Sequence, residues 1–364
     1  MTNNLGERNR RRASPLSSRR RQRRIAFALL CLSALLLAIA VASSGGSHRL
    51  TADTSAGGGS PIRTATQTAP AARPKPPTAF AVGLRVIRLT DGSREITLPD
   101  GGVTPRPLVT YVRYPALGSR TGTDVRDAPA ASAYGPYGLI VFAHGFNITP
   151  TPYDRLLQAW ARAGYVVAAP VFPLENANAP GGANESDLIN QPRDMSYVIS
   201  QIAAAGGQRS AGPLRGMVDP RKIAVTGQSD GGDTALTAAY NRRFVDRRIG
   251  AAMILSGAQI PRLGGYDFPA GSPPLLAIQG TADTINLPAE TETFFRRART
   301  PKFLLSLLGA EHLPPYTQEQ PQLGIVERST LAFLDYYLNR HGSALGRFRA
   351  VARVPGIATL ESSP

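Results

Sequence analysis

The sequence predicts an α/β architecture, a mostly parallel twisted sheet with helices on both faces and no cap domain. Three observations predict it. Short continuous apolar runs such as Leu139–Ala143 lack polar alternation, as strands covered on both faces do. Amphipathic segments of helical period separate these runs, and strands alternating with helices make a parallel sheet. A serine between glycines, Gly227-Gln228-Ser229-Asp230-Gly231, joins one apolar run to a helical segment. In such sheets ligands bind at the carboxyl ends of strands.

The alternation begins after residue 80. Val82–Leu89 and Leu108–Tyr114 read as early strands, with the turn signal Asp91-Gly92 after the first and Asp100-Gly101-Gly102 before the second. Leu139–Ala143 is the first buried strand. Tyr153–Ala163 is helical, and its face of Leu156, Leu157, Trp160 and Ala163 makes Trp160 a core residue. Tyr165–Ala169 reads as strand, Arg193–Ala205 as helix, Lys222–Thr226 as strand and Gly232–Asn241 as helix. Ala251–Leu255, Leu275–Ile278 and Phe303–Leu308 complete the strands, with a helix over Thr291–Arg299 and a last helix over Ser329–Asn339. A folded domain over 81–341 and a C-terminal tail over 342–364 follow.

The front of the chain is different. The net charge of +16 over 364 residues would suit a nucleic-acid partner if it covered a folded surface. Half of it lies in residues 1–24, where nine arginines face only Glu7, and residues from 81 onward carry only +5. No nucleic-acid partner is expected. Ile25–Ala42 has no charged residue and is long enough to cross a bilayer as a helix, with the arginines holding its start in the cytoplasm. Ala40-Val41-Ala42 also fits a signal-peptidase site, so a secreted form competes with a single-pass membrane anchor. The anchor is favoured because the run exceeds the ~7–15 residues of a signal core. Either way the folded domain lies outside the cytoplasm. The only cysteine, Cys31, sits inside this run, so no disulfide forms within the chain. Residues 43–80 are rich in Gly, Ser, Thr, Ala and Pro and read as a disordered linker.

A serine on a sharp strand-to-helix turn presents its hydroxyl at the carboxyl edge of the sheet, and the flanking Gly227 and Gly231 allow strand and helix to approach. Ser229 is therefore the candidate nucleophile. It needs a base, and four histidines are present. His48 lies in the linker, His341 ends the last predicted helix, and His144 precedes Ser229. His312, in a loop between the last strand and that helix, fits the order nucleophile, acid, base. Asp283 closely follows the strand Leu275–Ile278 and is the candidate acid that orients His312, ahead of Asp267 and Glu290. The oxyanion donors are expected to be the backbone amides of Asp230 and Phe146, with Gly145 permitting the tight turn. His144 is expected to support that loop through a hydrogen bond. The Asp230 side chain is expected to cap the helix or face solvent.

The segments VGLRVIRLTDGSR, VRYPA, LIVFAHGF, GYVVAAPVFP, QPRDMSYVI, DPRKIAVTGQSDGG, IQGTADTINLP and AEHLPP run from Val82 to about Leu338. In order and spacing they resemble the α/β-hydrolase superfamily, in the branch of dienelactone hydrolases, chlorophyllases, platelet-activating-factor acetylhydrolase-like proteins and bacterial cutinase-like esterases. The resemblance implies the α/β-hydrolase fold and a Ser-Asp-His triad. Two departures stand out. Dienelactone hydrolases have cysteine where this chain has Ser229, which argues against dienelactone as substrate, and many family esterases have histidine in place of Gln228. The leading expectation is a serine esterase that uses no metal or organic cofactor and acts on small, lipid or polymeric esters in an open cleft shaped by 173–191 and 257–273. Acyl transfer or cleavage of thioesters or amides by the same triad is a second reading. A catalytically silent, membrane-tethered binding protein is a third.

Overall fold

The computed structural model describes residues 75–363, apart from 206–208, 261–262 and 265. The basic segment, the apolar run and most of the linker lie outside the described residues. Among the described residues no helix is long and apolar enough to cross a membrane.

Among the described residues the core is one ten-stranded sheet in the order β10-β9-β8-β7-β6-β4-β5-β2-β1-β3. Its centre is parallel: β5 (Tyr165–Pro170), β4 (Tyr137–Ala143), β6 (Val218–Gln228), β7 (Ile249–Leu255), β8 (Leu275–Gly280) and β9 (Lys302–Leu307). At one edge β1 (Ala81–Thr97) and β2 (Val103–Ala116) form an antiparallel hairpin, flanked by the short β3 (Val125–Arg126). Every residue of β4 is buried, as its unbroken apolar run requires. Leu139, Val141 and Ala143 enter the hydrophobic layer on one face of the sheet, and Ile140 and Phe142 the layer on the other.

Helices cover both layers. α2 (Gln191–Ala204), α3 (Asp230–Tyr240) and α4 (Pro288–Arg297) supply Met195, Val198, Ile199, Leu236 and Phe294 to the first. α1 (Asp154–Arg162) and the later α6 (Gln322–Tyr337), which follows the single-turn α5 (Pro314–Thr317), supply Leu156, Trp160, Val326 and Phe333 to the second. Trp160 is fully buried, with its indole N–H donating to Thr330 Oγ1 at 2.9 Å. α6 starts at Gln322 and not at the expected Ser329, because Leu323, Ile325 and Val326 are core residues in about two extra turns of helix.

Two expectations are corrected. Asp91-Gly92 does not end β1. The strand runs on through a bulge between Asp91 and Glu95, and the hairpin turns at 98–102, where Leu98 N donates to Gly102 O. The Asp91 carboxylate accepts from Ser93 N, Ser93 Oγ and Arg94 Nε, which closes the bulge by local side-chain bonding. Because β2 pairs with β5 only over Thr110–Arg113, the far half of the hairpin extends beyond the carboxyl end of β5.

Residues 342–364 are expected as a tail, but the described ones, up to Ser363, continue the fold. α7 (Ala344–Val351) buries Phe348 against Phe303 and Phe333, and β10 (Ala358–Ser363) pairs antiparallel with β9 along its whole length. β10 has only Ala358 and Leu360 facing inward, a pattern too short and too polar to be read as a strand without its partner. A chain ending at His341 would leave β9 as an open apolar edge. It is expected to be far less soluble than the full chain and to unfold at lower temperature. Soluble yield and a thermal melt would show this, and unchanged values for both would count against the integral role of this segment.

Candidate active site

β6 runs into α3 through a single strained residue. Ser229 has φ 58° and ψ −124°, a conformation rare for a residue with a side chain, and its amide donates to Leu255 O at 3.0 Å. The neighbouring glycines are obligatory on steric grounds. A Cβ on Gly227 would lie 2.2 Å from Gly231 O, and one on Gly231 would lie 2.0 Å from Ala143 O. Strand, turn and helix therefore meet backbone to backbone at the carboxyl ends of β4 and β6, with the positive end of the α3 dipole under Ser229. Ser229 and Gln228 are both buried.

Asp230 occupies the first turn of α3 and is fully buried, so of the two expected placements the solvent-facing one is corrected. The elbow tucks the start of the helix under the loop after β4, so the carboxylate lies at the helix N-terminus and its charge is felt at His144. Among the bonds that hold this loop, Asn147 N donates to Glu175 O at 2.9 Å. A Cβ on Gly145 would lie 3.2 Å from Ser229 Cβ and 3.0 Å from Gln228 Oε1. The loop therefore packs directly on the serine turn. Among the described residues the next amide, Phe146 N, has no hydrogen-bond partner.

His144 holds that loop in a defined protonation state. Phe172 N donates to its Nε2 at 3.1 Å, so Nδ1 carries the hydrogen and donates to Gly145 O at 2.9 Å. Burial pushes its pKa down to about 4, and the Gly145 carbonyl and the Asp230 charge only partly oppose this. The neutral ring uses both nitrogens. Between about pH 6.5 and 4 the unfolded chain binds a proton that the folded chain refuses, so stability falls as the pH falls through this window. The loss is expected to reach roughly 3 kcal/mol at its lower end. Urea denaturation at pH 7 and pH 4.5 would measure it, and a His144→Asn variant should flatten the dependence. An equally steep dependence in that variant would refute the assignment.

The acid and base loops meet at the ends of β8 and β9. His312 Nδ1 is 2.7 Å from Asp283 Oδ2, and both side chains are buried. Asp283 Oδ2 also accepts from Gln279 Nε2 at 3.1 Å, while Oδ1 accepts from Ile285 N at 2.8 Å and Asn286 N at 3.0 Å. Burial raises the carboxyl pKa, but the His312 bond and charge together with the other donors outweigh it, and the group is held below its usual range. Gly280 is required here, because a Cβ on it would lie 2.4 Å from Ala310 O. Of the rivals, Asp267 is half-exposed and its carboxylate receives Arg242 N at 3.3 Å. Glu290 sits in the first turn of α4.

Sequence reasoning missed several supporting side chains. Gln279 is buried, accepts from Thr291 Oγ1 at 2.7 Å and donates to Asp283. Asn286 donates its side-chain amide to Ser256 O at 2.6 Å and so pins the acid loop to the end of β7. Gln228 accepts from Tyr153 Oη at 2.7 Å and donates to His312 O at 2.9 Å. The available signal was position: Gln279 is the one polar side chain in an otherwise apolar strand, and Gln228 follows the buried stretch Ile223–Gly227 at the end of its strand. Among the described residues no group of three or more His, Cys, Asp or Glu is arranged to hold a metal ion.

Residues 128–255, a little over a third of the chain, match the family model described as Chlorophyllase. That span carries the loop after β4 and the Ser229 turn. The described residues adopt an α/β-hydrolase fold. That fold is similar to the solved structure of a ferulic acid esterase from Streptomyces cinnamoneus, with 23% identity and a TM-score of 0.55 over 75% of this chain and 93% of that one. No curated protein matches it in sequence.

Proposed function

We propose that this protein is a hydrolase that cleaves carboxylic esters through an acyl-enzyme formed on Ser229. His312 takes the Ser229 proton as general base and returns it to the leaving alcohol as general acid. Asp283 fixes the His312 tautomer with hydrogen on Nδ1 and stabilises the imidazolium as it forms. The amides of Phe146 and Asp230 receive the oxyanion of the tetrahedral intermediate, with the α3 dipole behind them. Water then attacks the acyl-enzyme with His312 again as base. The observation that carries this reading is the buried His312–Asp283 pair at 2.7 Å, on the same edge of the sheet as the strained Ser229 turn.

Substrate breadth follows from the surroundings. Among its described residues the segment between β7 and β8 carries no α-helix, which supports a cleft open to bulky as well as short esters. The apolar run 25–42 behind an arginine-rich start supports a catalytic domain tethered outside the cytoplasm. Activity on p-nitrophenyl esters from acetate to palmitate and on a polyester film, together with covalent labelling by a fluorophosphonate, tests the function. Labelling of the intact protein with ester turnover is the expected result. Failure to label, with no turnover on any ester, would leave only the silent binding protein.

A further inference from the structure

We propose that Gln228 is a positioning residue, whose amide fixes the backbone of His312 relative to Ser229 by bridging Tyr153 and the His312 carbonyl. The inference rests on the serine-hydrolase reading and concerns how its base is held. Gln228 is next to Ser229 in the chain, and its side chain is 1% exposed. Its oxygen accepts the Tyr153 hydroxyl at 2.7 Å and its nitrogen donates to the carbonyl of His312, 84 residues away, at 2.9 Å. A neutral side chain that both donates and accepts, as an amide does, satisfies both neighbours, whereas a carboxylate would face the His312 carbonyl with a second acceptor.

The geometry gives the bridge leverage. The His312 ring is held on one side by Asp283, through a carboxylate that four donors fix in place. Its backbone is held on the other side by Gln228, which belongs to the same rigid turn as Ser229. Base and nucleophile are thus referenced to each other through one side chain, while Asp283 sets only the orientation of the ring. Gln228 Oε1 also lies 3.0 Å from where a Gly145 Cβ would be, so the same amide backs the loop that carries Phe146. Tyr153 stands immediately before α1 and packs on Phe142 with ring centroids 4.8 Å apart, which makes it a fixed anchor. Removing the amide frees the His312 backbone to move by a fraction of an ångström. Proton transfer from Ser229 is sensitive to displacements of that size, whereas ester binding is not.

The test compares Gln228→Met, of similar volume but without either bond, with Tyr153→Phe, which removes one bond and leaves the bridge to His312. Gln228→Met is expected to lower kcat on a p-nitrophenyl ester by about 10- to 100-fold and leave KM within about twofold. Its fluorophosphonate labelling rate should fall in parallel. Tyr153→Phe should lose much less. In a His312→Ala background Gln228→Met should cost almost nothing further, because its effect passes through the missing base. Rates are taken per folded molecule, with thermal melts on each variant. If Gln228→Met melts lower but keeps kcat and the labelling rate, or if its loss is undiminished without His312, the bridge is structural only and the proposal is overturned. Absence of labelling in the unaltered protein would instead overturn the serine-hydrolase reading itself. Should Gln228→Met not fold, Gln228→His, which can both donate and accept, replaces it: kcat well above that of Gln228→Leu supports the bridge, and equal kcat in the two refutes it.

Discussion

Ser229→Ala is expected to abolish fluorophosphonate labelling and to lower ester turnover by roughly 10⁴-fold or more. His312→Ala should come close to the same loss. The two changes together should cost little more than either alone, since nucleophile and base act as a unit and removing one idles the other. Both variants should fold. Replacing Ser229 with alanine removes one hydroxyl at a position whose strained backbone is imposed by Gly227, Gly231 and Leu255 O. His312→Ala leaves the Asp283 carboxylate with three remaining donors. Asp283 is held below its usual pKa, so its contribution to stability is present above the ordinary carboxylate range and lost as the pH falls through its folded value. Part of that depression comes from His312, and the variant should therefore be somewhat less resistant to acid. Stopped-time assays on the purified variants, with circular dichroism to confirm folding, measure all of this. Turnover within tenfold of the unaltered protein in either variant would remove that residue from the mechanism.

How much of this was visible in the sequence depended on how local each feature is. The Ser229 turn is encoded locally, within Lys222–Asn241, because strand, glycine, serine, glycine and helix are all contiguous. Asp283 and His312 were legible because each closely follows a strand and their order along the chain is constrained. Asp91-Gly92 was misread because a turn and a bulge use the same local chemistry, and only the register against β2 separates them. The strand at Ala358–Ser363 exists because β9 offers it a partner, and nothing in ATLESS requires it. Gln228 and Gln279 were visible as residues and silent as to role, since their partners come from distant loops. Asp230 looked like an ordinary helix-start carboxylate, and its burial follows from how closely Gly231 lets α3 approach Ala143.

The same distinction between local and distant encoding explains the largest expected loss of stability. Arg106, on the part of β2 that extends beyond β5, is 1% exposed and gave no sequence signal. Its Nε and Nη2 donate to the two oxygens of Asp194 at 2.7 and 2.6 Å, and its Nη1 and Nη2 donate to those of Asp187 at 2.9 and 2.7 Å. Arg94, which closes the bulge at Asp91, adds a second cation to Asp194 at 2.7 Å. Burial raises the Asp194 carboxyl above its usual range despite Arg106, whereas the two carboxylates hold the guanidinium charged against its own burial. The charge on Arg106 is the firmer of the two, because it is shared by two acids. Arg106→Met would strand those acids in the interior, and breaking a buried ion network by removing one partner costs about 3–5 kcal/mol. That is a large fraction of the roughly 5–15 kcal/mol that keeps a domain folded. Lysine should not rescue it, since a single ammonium cannot make two forked contacts. The cluster also ties the hairpin to the 185–190 turn, and the preceding loop carries the Glu175 carbonyl that receives Asn147 N beside Phe146. Arg106→Met should therefore lower kcat as well as stability, while Arg106→Met combined with Asp187→Asn and Asp194→Asn should recover much of the stability by removing the stranded charges. Urea denaturation of the three proteins decides it, and a loss below about 1 kcal/mol in the single variant would mean that water or Arg94 already compensates for Arg106.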